Sequence, residues 1–222
     1  MPKSARNESA RYPTIKMKLK TTTLSILSLF ALGTISSQAA TVFLTNASGA
    51  SGELGELLDG LDATDIGTPA ATVTVPGFTS LDLTLLSIAS DAASGDQLNA
   101  TASSFGINDG VTGDETDAFD AGVNEIATFS FSQDVEITSL SFVIFTSGEV
   151  FNFGGVSIAD SAAPSNTFTF VDPLAIAANT SFNMQATTGT VGLTSFEVTV
   201  VPEPSAALFG AIGALALLLR RR

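Results

Sequence analysis

The chain has no cysteine, no histidine and no tryptophan; its single tyrosine is Tyr12, and its nine lysines and arginines all lie near the two ends. Each absence removes a class of chemistry. Without cysteine no disulfide can staple an exported domain, and without cysteine or histidine zinc has no sulfur or nitrogen ligand. Six of the bases fall between residues 3 and 20, and the other three are the last residues, Arg220, Arg221 and Arg222. Of the 22 acids only Glu8 precedes residue 40, so residues 40–204 hold 21 acids and no base, a formal charge of −21 against −13 for the whole chain. Such a body forms no internal salt bridge, repels itself, and excludes nucleic acid and anionic membranes as partners. High ionic strength or divalent cations relieve that repulsion, which suits a saline setting.

The same missing residues point away from an enzyme. A serine or threonine nucleophile has no conventional base here, and a phosphate has no cationic clamp. A pair of carboxylates, as in a glycoside hydrolase, is the one catalytic device left. No pair is singled out by the sequence, and the tryptophan and tyrosine that stack on sugars are missing.

What is present is period-two alternation. It runs through Thr72-Val73-Thr74-Val75, Leu81 to Leu85, Thr128 to Ser132, Thr167 to Phe170 and Phe196 to Val200, with apolar side chains on one face and Thr, Ser or acid on the other. Further strands are expected at 42–45, 97–105, 137–145, 150–158 and 181–186, about ten in all, separated by turn signals such as Asn108-Asp109-Gly110 and Thr146 to Glu149. About 165 residues suffice to bury one core, so one domain is expected. The fold class is all-β, a β-sandwich of jelly-roll type. One short helix is expected within 52–61, where Leu54, Leu57, Leu58 and Leu61 recur at helical spacing.

The acidic loop from Asp109 to Asp120 is the best candidate site. Asn108, Asp109, Asp114, Glu115, Asp117 and Asp120 offer hard oxygen ligands, and Gly110 and Gly113 allow the loop to fold back toward one Ca²⁺. The spacing is not that of an EF-hand, and a merely solvated acidic loop is the alternative. A second cluster, Asp59, Asp62 and Asp65, is more ordinary, with Asp62 or Asp65 expected to cap or terminate the short helix.

The two ends carry addresses. From Met17, the expected translation start, a basic segment precedes an apolar stretch from Leu24 to Ile35 and the small residues Ser37-Gln38-Ala39. This is the pattern of a secretory signal peptide, with signal peptidase cutting between Ala39 and Ala40. At the other end Pro202-Glu203-Pro204 precedes an apolar run from Ser205 to Leu219 and the three arginines. As a helix that run is about 22 Å long, a marginal transmembrane span for a hydrocarbon core of about 30 Å. The arginines hold its end in the cytoplasm, leaving the prolines outside with their backbone extended.

Motif, apolar run and basic tail in that order resemble the PEP-CTERM sorting signal of exosortase substrates in Gram-negative bacteria. The resemblance covers Val201 to Arg222, about a tenth of the chain. It implies that an exosortase cleaves near Pro202-Glu203-Pro204 after a transient membrane intermediate and passes the body to the envelope or extracellular matrix. The run from Gly106 to Val135, an acidic loop before a Phe-rich strand, is more loosely similar to a block in sandwich domains of such proteins. The expected organisation is a leader over 1–39, an acidic domain over 40–200 and a sorting signal over 201–222. The expected role is that of a non-catalytic structural or adhesive component of the cell surface or exopolysaccharide matrix. The alternatives are a carbohydrate- or Ca²⁺-dependent binding module, marked by a concave Phe-lined or carboxylate-lined face, and then a carboxylate-pair hydrolase.

Overall fold

The structure is a computed structural model that describes residues 38–46, 53–91, 95–109 and 118–202, with Gly213 and Leu217. Among these residues the chain is all-β apart from one α-helix and three short 3₁₀ turns, and its strands form two antiparallel sheets. The first sheet contains β1 (Ala39–Phe43), β4 (Gln97–Ala100), β5 (Phe105–Asn108), β6 (Phe119–Asp120), β8 (Val135–Ile144), β11 (Thr167–Ile176) and β13 (Thr190–Val200). The second runs in the order β10 (Val156–Ala159), β9 (Val150–Phe153), β12 (Ser181–Thr188), β7 (Ile126–Phe131), β3 (Asp82–Ala89) and β2 (Thr72–Thr74).

Strand β13 organises the first sheet. One of its edges pairs with β8 along most of its length, and the strand also pairs with β1, β5 and β6. The last strand of the domain therefore holds its first, with Ala39 opposite Thr199 and Phe43 opposite Ser195. Alternation sends Val191, Leu193, Phe196 and Val198 into the core, while Glu197 and Thr199 face outward.

Phenylalanine joins the two sheets. Eleven of the fourteen phenylalanines between residues 40 and 204 are buried. Phe131 of the second sheet stacks on Phe182 at 5.1 Å within that sheet and meets Phe196 of the first edge-on at 6.3 Å. Phe151 of the second sheet packs edge-on against Phe119 and Phe142 of the first, at 5.5 and 5.6 Å. One hydrophobic cluster accordingly draws residues from both sheets.

Thirteen strands are described, where about ten are expected from the sequence, and the differences have local causes. The expected strand at 150–158 divides because Gly154 and Gly155 both adopt positive φ, 58° and 86°, giving the tight two-residue hairpin that joins β9 to β10. The expected strand at 97–105 divides because the Thr101 hydroxyl accepts from the Ser104 amide at 3.2 Å and closes a turn there. Asn108 is the last residue of β5, not part of a turn. β11 continues past Phe170 to Ile176 through an irregular stretch that contains Pro173 and leaves Val171 98 % exposed. Proline and a break in pairing are the devices that discourage a further strand from joining such an edge.

The helix forms, but only over Leu54–Leu58, here α1. Leu54, Leu58 and Leu61 are buried and Leu57 is exposed. A Cβ on Gly55 would stand 1.8 Å from the Leu44 carbonyl oxygen, so only glycine lets the helix lie against that backbone.

No described helix is long and apolar enough to cross a membrane. The expected C-terminal transmembrane helix over 205–219 lies outside the described residues except for Gly213 and Leu217, both helical.

Candidate functional site

The acidic stretch starts at the end of β5 and ends at β6. Its two feet are joined, because the Ile107 amide donates to the Ala118 carbonyl at 3.0 Å. Gly106 makes this close approach possible: a Cβ there would stand 2.1 Å from the Ala118 carbonyl carbon. Of the proposed ligands, Asn108 is half-buried, Asp109 is 1 % exposed and Asp120 is half-buried. Asp114, Glu115 and Asp117 lie outside the described residues.

Asp120 is engaged in a turn. Its Oδ1 accepts from the Gly122 amide at 2.6 Å, and its own amide donates to Oε2 of Glu125 at 2.6 Å. The Glu125 amide in turn donates to the Asp120 carbonyl at 3.1 Å, closing the connection between β6 and β7. Glu125 is fully buried, and the sequence marks it only as one more acid before a strand. The missed signal is its position next to Ile126, where a side chain reaches back over the turn. Among the described residues no three acidic, histidine or cysteine side chains lie close enough together to hold a metal.

The second acidic cluster does local structural work, but Asp59, not the expected Asp62 or Asp65, ends the helix. Asp59 is the C-cap residue of α1, and its Oδ1 accepts from the Ala100 amide at 3.0 Å, tying the helix to β4. Asp62 accepts from both the amide and the hydroxyl of Thr64 at 2.6 Å, and Asp65 accepts from the Asp62 amide at 3.1 Å. The Thr64 hydroxyl and amide hold the Asp62 carboxyl below its ordinary range, since both bonds favour the charged form.

The outer face of the second sheet was not singled out by the sequence. Its strands carry one acid, Asp82, in a domain with 21. Register lines up Thr72, Thr84, Ser130 and Ser181 across four strands, and Gln185, Asn152 and Ser157 across three. Thr72 and Thr84 are hydrogen-bonded to each other at 3.0 Å, as are Thr128 and Asn183 at 3.1 Å. Six strands at about 4.8 Å spacing make a face roughly 24 Å wide, covered mainly by hydroxyls and amides.

Ala39 and Ala40, the expected cleavage residues, and Pro202, the first residue of the expected sorting motif, lie at one end of the first sheet. Ala39 and Ala40 open β1, the Gln38 carbonyl accepts from the Val200 amide at 3.0 Å, and the Gln38 side-chain amide donates to the Gly77 carbonyl. A groove of about 260 Å³ is lined there by residues of β1, Thr138 of β8 and the end of β13, with Glu197 its only ionisable group. Thr138 donates to Glu197 at 3.2 Å. The Val201 amide donates to the Asp134 carbonyl at 2.9 Å, and the ladder stops at Pro202, which has no amide hydrogen. Glu203, Pro204 and Arg220 to Arg222 lie outside the described residues. No family model, curated protein or solved structure matches the chain.

Proposed function

We propose that the chain is an exported, non-catalytic structural or adhesive protein of the cell surface or extracellular matrix, sorted by an exosortase through Pro202 to Arg222. In this reading the two sheets wind as a jelly roll, the C-terminal apolar run is a transient transmembrane helix, and the first strand pairing with the last supports that winding.

The observation that carries the adhesive role is the outer face of the second sheet, uncharged but for Asp82. A body of −21 repels polyanions, yet this face offers mainly hydroxyl and amide groups, with Asp82 at one margin. Its complement is an uncharged polysaccharide, whose hydroxyls exchange hydrogen bonds with Thr, Ser, Asn and Gln without placing a charge against a charge. The concave Phe-lined face of a stacking carbohydrate module has no counterpart among the described residues, because most of the phenylalanines form the core. The groove at the β1 end supplies one carboxylate, whereas glycoside hydrolysis needs two at a set separation.

Affinity electrophoresis tests this. Gels containing dextran, an uncharged polymer, retard the protein, and gels containing the polyanion alginate do not. Thr84→Glu with Thr128→Glu abolishes the retardation and leaves the melting temperature within a few degrees. Equal mobility in all gels would remove the adhesive assignment of this face.

A further inference from the structure

We infer that the outer edge of β1 is a docking edge for an extended, basic peptide segment of another protein, which adds there as a further antiparallel strand of the first sheet. The direction of the β1–β13 hydrogen bonds decides which backbone groups are left over. The Val200 amide donates to the Gln38 carbonyl, and the Leu44 amide to the Thr194 carbonyl. With Ala40 opposite Val198 and Val42 opposite Phe196, residues 38, 40, 42 and 44 turn their backbone groups toward β13. Those of Ala39, Thr41 and Phe43 therefore point the other way, and among the described residues no other backbone is hydrogen-bonded to them. All three side chains are exposed, Phe43 by 52 %.

The other described edges are closed or cut short. On β4 the Leu98 amide donates to the Leu61 carbonyl and the Leu98 carbonyl accepts from the Gly60 amide, both at 2.8 Å, while Asp59 takes the Ala100 amide. β11 is broken between Thr169 and Leu174 and carries Pro173. β2 has three residues, with its Thr72 amide given to the Pro69 carbonyl, and β10 has four. An open edge is a template for a further strand unless charge, proline or a bulge blunts it. Residues 38–44 contain no charge and no proline, and the β1 register is unbroken.

Charge and register name the partner. In an antiparallel added strand, the residue opposite Thr41 puts its side chain on the outer face, where Glu197 stands beside Thr41 on β13. That strand lies two spacings from β13, about 9.6 Å, a gap that an extended lysine and Glu197 close between them. The alternate side chains fall next to Ala40 and Val42, which pack into the core, and there an apolar group fits. The matching segment therefore alternates basic and apolar residues. A second copy fits poorly. Two bodies of −21 repel, and β1 paired with itself about Thr41 needs Ala39 opposite Phe43, whereas the expected leader cut removes Ala39. Thr41 and Phe43 remain after that cut, so the peptide edge exists in both forms of the chain.

The test follows the fluorescence anisotropy of a labelled, alternating Lys-Val octapeptide added to the full chain. The peptide binds, its affinity falls as NaCl is raised, and a Glu-Val octapeptide does not bind. In the register above the lysine amides face β1 and the valine amides face solvent. Methylating the lysine backbone nitrogens weakens binding by roughly tenfold or more, and methylating the valine nitrogens leaves it unchanged. Bound peptide also slows hydrogen exchange at the Thr41 and Phe43 amides. Thr41→Pro removes one outward amide and no β1–β13 bond, so it lowers the affinity while the melting temperature stays within a few degrees. If that variant fails to fold, the two methylated peptides still decide the matter on the unaltered chain. No binding, equal binding of the two methylated peptides, or binding without slower exchange at Thr41 and Phe43 overturns the inference. Concentration-dependent dimerisation that protects those amides without peptide assigns the edge to a second copy and overturns it as well.

Discussion

Replacing Phe131 by alanine tests whether the two sheets are held together as the aromatic geometry requires. Phe131 is fully buried, stacks on Phe182 at 5.1 Å with an interplanar angle of 10°, and touches Phe196 across the sheets at 6.3 Å and 73°. Removing a buried phenylalanine costs about 3–5 kcal/mol. For a domain of about 165 residues each kcal/mol moves the melting temperature by about 2–4 °C, so the expected fall is roughly 6–20 °C. Val171→Ala, at a side chain 98 % exposed, is the control and changes stability by less than about 0.5 kcal/mol. Residues 40–204 have neither tryptophan nor tyrosine, so unfolding is followed by circular dichroism. A double-mutant cycle with Phe131→Leu and Phe196→Leu isolates the contact between sheets, and its coupling should be about 0.5–1.5 kcal/mol. Coupling indistinguishable from zero, or a Phe131→Ala shift no larger than that of Val171→Ala, would refute the packing of the second sheet on the first at this point.

Gly106→Ala should be strongly destabilising, because its Cβ would overlap the Ala118 backbone, whereas Gly122→Ala meets only the Asp120 carboxylate at 3.1 Å and should be mild; urea melts compare them. An NMR titration should find Asp62 below its ordinary value of 3.8, and Thr64→Val should raise it by removing the hydroxyl bond while the amide bond stays. The sign follows from a lowered folded value: the Asp62 contribution is present above about pH 3.8 and disappears as pH falls through the folded pKa. Raising NaCl from 10 mM to 1 M should raise the melting temperature, since screening weakens the self-repulsion of −21 charges and no internal ion pair offsets the gain. A further rise with Ca²⁺ at matched ionic strength, lost in Asp114→Asn with Asp117→Asn, assigns an ion to the acidic loop; about 2.7 kcal/mol is expected at a hundred times Kd.

Much of the fold is legible because alternation is local. The five alternating runs all lie in or around strands, and β7 occupies the stretch from Ile126 to Phe131 where a strand is expected. Boundaries are less legible where a turn sits inside an apolar run. Val150 to Ile158 looks continuous until Gly154 and Gly155 are required to take positive φ together. The short strand β6 is hidden for another reason: Phe119 and Asp120 carry no alternation of their own and become a strand only because β13 supplies the partner edge. The same holds for the upper half of β13, from Thr190 to Ser195, where β6, β5 and β8 provide the pairing.

The candidate sites divide along the same line. Acids are visible in sequence as a class, but their tasks depend on which amides are near. Asp59, Asp62, Asp120 and Glu125 all spend an oxygen on a backbone amide, which within residues 40–204, where no basic side chain occurs, is the main stabilising partner a carboxylate can find. The neutral face of the second sheet is visible only after register is known, because Thr72, Thr84, Ser130 and Ser181 are spread over more than a hundred residues and meet through three separate strand pairings. Charge acts in the opposite way. A domain with 21 acids keeps all but Asp82 off the six strands of the second sheet, and that distribution leaves one broad surface of mainly uncharged hydrogen-bonding groups within an otherwise acidic body.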